Sequence, residues 1–288
     1  MAYRTLVKHV TLVTGNFGFI GTETCKAIQC LEPFDLMLGC DIRDVEQLDK
    51  RVRRSRPSRI MHLAAIARFS DADRDPILAY QTNVLGTQNV IDIAAKYHIP
   101  VVYASTGSAI MPLDDYEPPY DETIPARGNS VYGCTKAIGE HIVRQHTPHI
   151  ILRYAHIYGK EKRHHGLVGG FVNRIERGLQ PNLYGGRQTN DFVYVRDVAR
   201  ANVIALNAPW DKWNQTYNIG TGVELTATYA GDAVCDALGW EGGVNVVEPR
   251  TVDPQRFALD VSKAREWLGF EAEYGFAMGL TDMMGGDE

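Results

Sequence analysis

The segment Thr14-Gly15-Asn16-Phe17-Gly18-Phe19-Ile20-Gly21 constrains this chain more than any other. It follows an apolar stretch, Val10 and Leu12-Val13, that reads as a short buried strand, and it precedes Thr22–Leu31, which reads as a helix. A strand, a glycine-spaced turn and a helix form a dinucleotide cradle. Gly15 permits the tight turn, Gly18 lets the backbone approach a pyrophosphate, and Gly21 lets helix and strand pack closely. The free N–H groups and the dipole at the helix start favour phosphate charge. In a chain with 27 glycines the spacing alone says little. Its position behind the first strand is what gives it weight.

Strand-like and helix-like segments alternate through the first half. Leu36–Cys40, Ile60–Leu63, Val101–Ala104 and Ile150–Leu152 read as strands; Val45–Arg54, Pro76–His98 and Ser130–His146 read as helices. Repeated βαβ units imply an α/β fold, a Rossmann-type doubly wound parallel sheet with helices on both faces. Beyond about Ala155 the segments shorten and glycine and proline become frequent. The expected organisation is a dinucleotide-binding domain over 1–155 and a smaller substrate-binding region over 156–288, with parts near 188–222 returning to the first domain. The arginines between Lys50 and Arg59 read as a solvated helix face.

At 288 residues the chain can bury a full core. A net charge of −5 argues against a nucleic-acid partner, and no apolar run approaches the roughly 18 residues that span a bilayer. Five scattered cysteines show no metal-ligand spacing and fit a reducing compartment, and the N-terminus has no long apolar segment. A cytoplasmic protein without a metal is expected.

Tyr132-Gly133-Cys134-Thr135-Lys136 is the second signal. On a helix, residues four apart share a face, so the phenol and the ammonium point into the same space. A tyrosine of ordinary pKa about 10 needs about 3 units of lowering to act as a base near neutrality, and a neighbouring cation lowers it. Chance placement of the 14 tyrosines among the lysines gives about 0.4 such pairs. The chain holds two. The other, Tyr158 with Lys162, lies outside any helical pattern and reads as coincidence. Between the glycine turn and Tyr132, Val101-Val102-Tyr103-Ala104-Ser105-Thr106-Gly107-Ser108 ends a strand in hydroxyls, where ligands of parallel sheets bind. A hydroxyl there can share a proton with Tyr132; a plain Ser/Thr/Gly turn is the alternative.

In order along the chain, the glycine turn, His62-Leu63-Ala64-Ala65, Asn83-Val84-Leu85-Gly86-Thr87, the Ser105-Thr106 pair and Tyr132/Lys136 resemble the extended short-chain dehydrogenase/reductases. The branch they resemble is that of NAD-dependent nucleotide-sugar epimerases and dehydratases. The second half adds Leu152-Arg153-Tyr154 to Tyr158-Gly159, Asp191-Phe192-Val193-Tyr194-Val195, Tyr217-Asn218-Ile219-Gly220, and Asp260 to Ala264 with Leu268-Gly269. The resemblance implies Tyr132 as catalytic acid/base, Lys136 as the ribose-holding lysine, and Thr106 as the catalytic hydroxyl with Ser105 beside it. It implies a cofactor site of Gly15, Phe17, Gly18, Phe19, Ile20, Gly21, Asp41, Ile42, Arg43, Leu63, Ala64, Ala65, Asn83 and Ser105, shared with Tyr132 and Lys136. For the substrate it implies Ser105, Thr106, Ser108, Tyr132, His156, Arg187, Asn190 and Arg250, the last matching the arginine that grips a sugar-nucleotide diphosphate. It also implies a homodimer, paired through Ile77–Ala95 and Tyr132–Val143.

The chain departs from the family pattern at several places. Asp41 fits either the acidic residue that binds the adenine ribose or a later adenine-contacting motif. An acidic ribose partner favours NAD, whereas Arg43 could accommodate the extra phosphate of NADP. Ala109-Ile110-Met111 replaces the family's Val-Tyr-Gly, Asn190 replaces an arginine, and His156 replaces an asparagine. Related dehydratases carry an Asp-Glu pair after the catalytic threonine; here Gly107 and Ser108 stand there. The expectation is a nucleotide-sugar epimerase acting at C4 through a transient 4-keto sugar, without 4,6-dehydration. An NADPH-dependent keto-sugar reductase and a non-catalytic dinucleotide-binding regulator are the alternatives.

Overall fold

Strand β1 (Thr11–Thr14) runs straight into the glycine turn, and helix α1 (Phe19–Cys25) starts at once behind Gly18, whose extended backbone serves as its cap. These elements belong to a computed structural model that describes residues 10–29, 31–111, 115–146, 148–160, 166–248 and 255–285. Strand β2 (Leu31–Phe34) pairs in parallel with β1. Helix α2 (Val45–Ser55) is capped by Asp44, whose side chain accepts the N–H groups of Glu46 and Gln47, both at 3.1 Å. Strand β3 (Arg59–His62) follows, then α3 (Phe69–Arg74) and α4 (Pro76–Tyr80). The last continues through a π-helical stretch, Gln81–Gly86, into α5 (Thr87–Lys96). Strand β4 (Val101–Thr106), helix α6 (Val131–Arg144) and strand β5 (His149–Tyr154) complete the first half.

Two expectations about the early chain are corrected. The first helix spans Phe19–Cys25 rather than Thr22–Leu31, and Leu36–Cys40 is not a strand. The second strand is Leu31–Phe34, disguised by Glu32 and Pro33. Proline cannot donate to a central ladder, but β2 is the edge of the sheet, where this costs nothing. Leu36–Leu38 instead forms one 3₁₀ turn, closed by Asp35 accepting the Met37 N–H at 2.9 Å and by left-handed Gly39 (φ +68°).

The second half contributes β6 (His156–Tyr158), α7 (Gly166–Glu176), β7 (Asn182–Tyr184), β8 (Thr189–Asn190) and β9 (Phe192–Tyr194). After them come α8 (Val195–Leu206), β10 (Gln215–Ile219), β11 (Leu225–Thr226), α9 (Ala227–Ala237), β12 (Asn245–Val247) and α10 (Phe276–Met283). The six-stranded sheet has the order β10-β5-β4-β3-β1-β2, with every pairing parallel. Its strand order reverses between β1 and β3, and a ligand crevice opens at the carboxyl ends of strands at such a point. Leu12, Ile60, Val101 and Ile151 fill one face of the sheet; Val13, Met61, Val102 and Ile150 fill the other. Helix α8 lies against α1, joined by Asn202 Nδ2 donating to Thr24 Oγ1 at 2.9 Å. A third cluster, built on Tyr158, Phe171, Leu183, Tyr194 and Phe276, holds the C-terminal elements together. Among the described residues, no helix is long and apolar enough to cross a membrane.

Tyr158 sits on β6 with its hydroxyl donating to the Phe276 carbonyl at 3.1 Å, and burial pushes its pKa well up. Its sequence partner Lys162 lies outside the described residues. Tyr158→Phe is therefore expected to cost about 1 kcal/mol of stability, the net worth of one hydrogen bond. Thermal unfolding measures that loss, while turnover should stay at the wild-type rate.

Candidate functional site

Three glycines shape the cradle by lacking a side chain. Gly15 has φ +74°, and a Cβ there would lie 2.7 Å from the Ala64 nitrogen; at Gly21 it would lie 2.2 Å from the Gly15 oxygen. Gly18 closes the turn by donating its N–H to the Gly15 carbonyl at 3.1 Å. Phe17 is exposed, while Phe19 and Ile20 are half-buried at the start of α1. The Phe17 N–H donates to Asp35 Oδ2 at 3.0 Å, so a carboxylate stands at the end of β2 beside the turn. Asp35 follows Gly15 by the roughly 20 residues the motif requires, and Asp41 lies one turn further on, so with the strand at Leu31–Phe34 both carboxylates follow its end. Asp41 takes the Arg43 guanidinium, with contacts of 2.6 to 3.0 Å, which holds its carboxyl below the usual range. Ile42 is buried next to Gly86.

The facing wall is set by a directional hydrogen-bond chain. Thr87 Oγ1 donates to the Asn83 carbonyl at 2.7 Å, so it accepts from His62 Nε2 at 3.0 Å. His62 Nδ1 is then an acceptor for Thr14 Oγ1 at 2.7 Å, and Thr14 Oγ1 in turn accepts the Ala64 N–H at 3.2 Å. Burial drives the His62 pKa down to about 3, which keeps the ring neutral as this chain demands. Leu63 donates its N–H to the Thr14 carbonyl, and Leu63, Ala64 and Ala65 line the crevice half-buried. Asn83 is buried at the crevice wall. Its amide is consumed by the Ile66 backbone on both sides (2.8 and 3.0 Å) and by Thr135 Oγ1 (2.9 Å), so it ties this loop to α6.

Helix α6 begins at Ser130, whose hydroxyl accepts the Gly133 N–H at 3.0 Å. Tyr132, Lys136 and Glu140 then recur at one-turn intervals along it. Tyr132 is half-buried with its ring edge-on to Phe69 at 5.4 Å, and burial pushes its pKa up to about 12. The Lys136 ammonium is buried and its pKa falls to about 7, the burial being partly offset by the negative charge of Glu140. Thr106 ends β4 with 9% of its surface exposed, and Ser108 is half-buried just beyond.

The Ser105 hydroxyl donates to Glu140 Oε1 at 2.7 Å inside the protein. Glu140, fully buried, also accepts from Arg153 at 2.9 Å on both oxygens and from Arg144 at 2.7 Å. Arg153 is 1% exposed and spends its remaining donor on the carbonyls of Glu122 and Ile124. This network joins β4, α6 and β5. Sequence reasoning missed Glu140, although its spacing from Tyr132 and Lys136 was visible.

On the substrate side, His156 opens β6 between the rings of Phe192 and Phe257, at 6.1 and 5.3 Å. Its Nδ1 is buried without a hydrogen-bond partner, and burial lowers its pKa to about 4. Asn190 is half-buried in β8, and Arg187 is exposed three residues earlier. Arg250 lies outside the described residues. Another arginine does reach this rim: Arg256 pairs with Glu224 at 2.6 Å and Glu117 at 3.2 Å. Asp191, fully buried, accepts from the Thr221 and Gly222 N–H groups and the Thr221 hydroxyl, fixing the loop behind β10. A Cβ at Gly107 would lie 2.8 Å from Leu259 Cδ2 and 3.2 Å from Phe257 Cζ.

The model of the NAD dependent epimerase/dehydratase family matches residues 11–220 of this chain. The UDP-glucose 4-epimerase of Thermus thermophilus, solved in complex with NAD, is 30% identical; the match covers 96% of this chain and 98% of that one at a TM-score of 0.84. The Thermotoga maritima UDP-glucose 4-epimerase, solved with UDP-glucose, is 27% identical over 96% and 97% of the two chains, with a TM-score of 0.87. A dTDP-glucose 4,6-dehydratase of Streptomyces antibioticus is 29% identical over 308 residues, 94% of this chain and 90% of its own.

Glu140→Gln leaves the Arg153 charge buried and uncompensated, which is expected to cost about 3 to 5 kcal/mol at neutral pH. Burial would raise the Glu140 pKa, but Arg153, Arg144 and Ser105 together outweigh it and hold the carboxyl below its usual range. Its contribution is therefore present above the ordinary carboxylate pKa and lost as pH falls through the lower folded value. Denaturant unfolding at pH 7 and pH 3 should show the variant's deficit shrinking on the acid side.

Proposed function

The chain belongs to the NAD dependent epimerase/dehydratase family, and from that premise we propose that it is a nucleotide-sugar 4-epimerase that retains NAD. The crowding at Gly107 carries this reading. A 4,6-dehydratase needs a carboxyl acid beyond the tyrosine to expel water from C6. The position after Thr106, where related dehydratases carry aspartate, has Leu259 and Phe257 against it. Ser108 beside it cannot act as a carboxyl acid near neutral pH.

The residues present fit NAD. Gly15 and Gly21 clear the backbone for a pyrophosphate, and Asp35 can take the adenosine ribose hydroxyls and repel a 2′-phosphate. Arg43 is already engaged by Asp41, which speaks for NAD over NADP and against the reductase alternative. Lys136 would hold the nicotinamide ribose, and Asp41 with Ile42 would border the adenine. When bound, NAD would supply a reversible acceptor for the C4 hydrogen with its electron pair.

Everything else falls to the chain. At a pKa of about 12 Tyr132 is protonated as it stands. Cationic charge beside it, from Lys136 and the oxidised nicotinamide, lowers that value until the phenolate oxygen can take the proton of the C4 hydroxyl. Thr106 hydrogen-bonds the same oxygen and holds it in line. After the 4-keto sugar turns over to present its other face for hydride return, Tyr132 would give the proton back to the C4 oxygen. His156, neutral above a pKa of about 4, would offer the sugar nucleotide a hydrogen bond without charge, and Arg187, Asn190, Ser108 and Arg250 would grip the rest. The net charge of −5 remains unsuited to a nucleic-acid partner.

A homodimer completes the proposal. Ile77 is 71% exposed on α4, Leu85 60% on the π-helical stretch and Ile138 39% on α6, and a second copy of this face would cover them. Sedimentation is expected to give a dimer at micromolar concentration, and a stable monomer would count against it.

Tyr132→Phe should lower turnover by about 10²- to 10⁴-fold, the usual worth of proton transfer, with NAD still bound. Mass spectrometry of products from a panel of nucleotide hexoses checks the chemistry. The wild type is expected to give C4 epimers of unchanged mass; robust loss of water would make it a dehydratase instead.

A further inference from the structure

Lys136 presents a problem that its role does not solve. A buried ammonium needs a counter-group, yet among the described residues its Nζ meets no carboxylate or carbonyl. Glu140 stands one turn away, but its oxygens are taken up by Ser105, Arg153 and Arg144. The group in contact is an aromatic face: Nζ lies 4.1 Å from the ring centroid of Tyr103. Tyr103 is 1% exposed on β4, three residues before Thr106, with its other neighbour the neutral His62 ring at 5.6 Å.

We propose that Tyr103 is a positioning residue whose ring seats the Lys136 ammonium, and that residue 139 is glycine so that this ring can occupy its place. The proposal rests on the reading that Lys136 holds the dinucleotide. A carboxylate in the same position would take up the N–H donors and fix them on itself. A ring face attracts the cation through its quadrupole and accepts no directed hydrogen bond. The N–H groups turned away from the ring stay available for ribose hydroxyls. Glycine inside a helix is unfavourable relative to alanine, yet a Cβ at Gly139 would fall 2.1 Å from the Tyr103 hydroxyl oxygen and 2.9 Å from its ring carbon. That hydroxyl is buried beside Thr87 without a well-formed hydrogen bond, so the phenol oxygen is not what the position is built for.

The test has two readouts. In protein carrying ¹³C-labelled lysine, the Lys136 side-chain protons should be shifted upfield by the ring in the wild type and in Tyr103→Phe, and lose that shift in Tyr103→Leu. Unshifted resonances in the wild type would overturn the seat whether or not the protein binds NAD. The second readout is exchange of bound NAD for labelled NAD. Tyr103→Phe should match the wild type, and Tyr103→Leu should exchange about tenfold faster, in the range of a buried cation–π contact. Lys136→Met should be similarly fast, with Tyr103→Leu adding nothing on top of it. Full additivity would make Tyr103 a packing residue only, and slow exchange in Tyr103→Leu would remove its link to the dinucleotide. Gly139→Ala should speed exchange in the wild-type background and be partly relieved by Tyr103→Phe, which removes the nearer of the two contacts but leaves the ring carbon. Failure of the wild type to hold NAD at all, with the lysine shift intact, would sink the functional reading but not the seat.

Discussion

The buried Glu140 carboxylate is the interaction on which the rest of the site depends. It receives Ser105 from β4, Arg153 from β5 and Arg144 from its own helix. Such an ion pair adds little net stability, because desolvation of both charges offsets their attraction. What it fixes is position. Helix α6 can neither slide nor rotate against the sheet without stranding a charge, so Lys136 keeps its place over Tyr103 of β4. The same carboxylate places negative potential one turn below Lys136 and partly offsets the burial that would discharge it.

The cofactor side is held by a different kind of device. The chain from the Ala64 N–H through Thr14, His62 and Thr87 to the Asn83 carbonyl is satisfied at every link only with His62 neutral. It binds the ends of β1 and β3 to α5, and so sets the width of the crevice that Gly15 and Gly21 keep clear. Asn83 extends the constraint to Thr135 on α6. The two walls of the crevice are thereby coupled through buried polar groups, each with a defined partner. Low local dielectric makes such contacts strong and their loss costly.

The substrate side is where related chemistries diverge. The relatives of this chain include both epimerases and a dehydratase. Fold therefore cannot choose between them. After Thr106 a side chain at position 107 would meet Leu259 and Phe257, from a segment 150 residues later. His156, neutral between two aromatic rings, gives the same pocket an uncharged polar edge.

Local chemistry determined much of this protein. The glycine spacing after an apolar strand, the βαβ alternation and the Tyr132/Lys136 interval each depend on neighbours within a few residues, and each was legible in the sequence. The folded chain decided what depends on distant partners. Pro33 hides β2 from any propensity argument and is tolerated only because tertiary placement makes that strand an edge. With the strand there, Asp35 and Asp41 both follow its end. The sequence does not show which partners Ser105 and Asn83 meet within the protein; they bond Glu140, Ile66 and Thr135, which lie 17 to 52 residues away. Tyr103 gave no signal at all, since a ring becomes the seat of a cation only when a strand and a helix bring the two together. A polar side chain declares what it can bond; the fold alone determines which partner reaches it first.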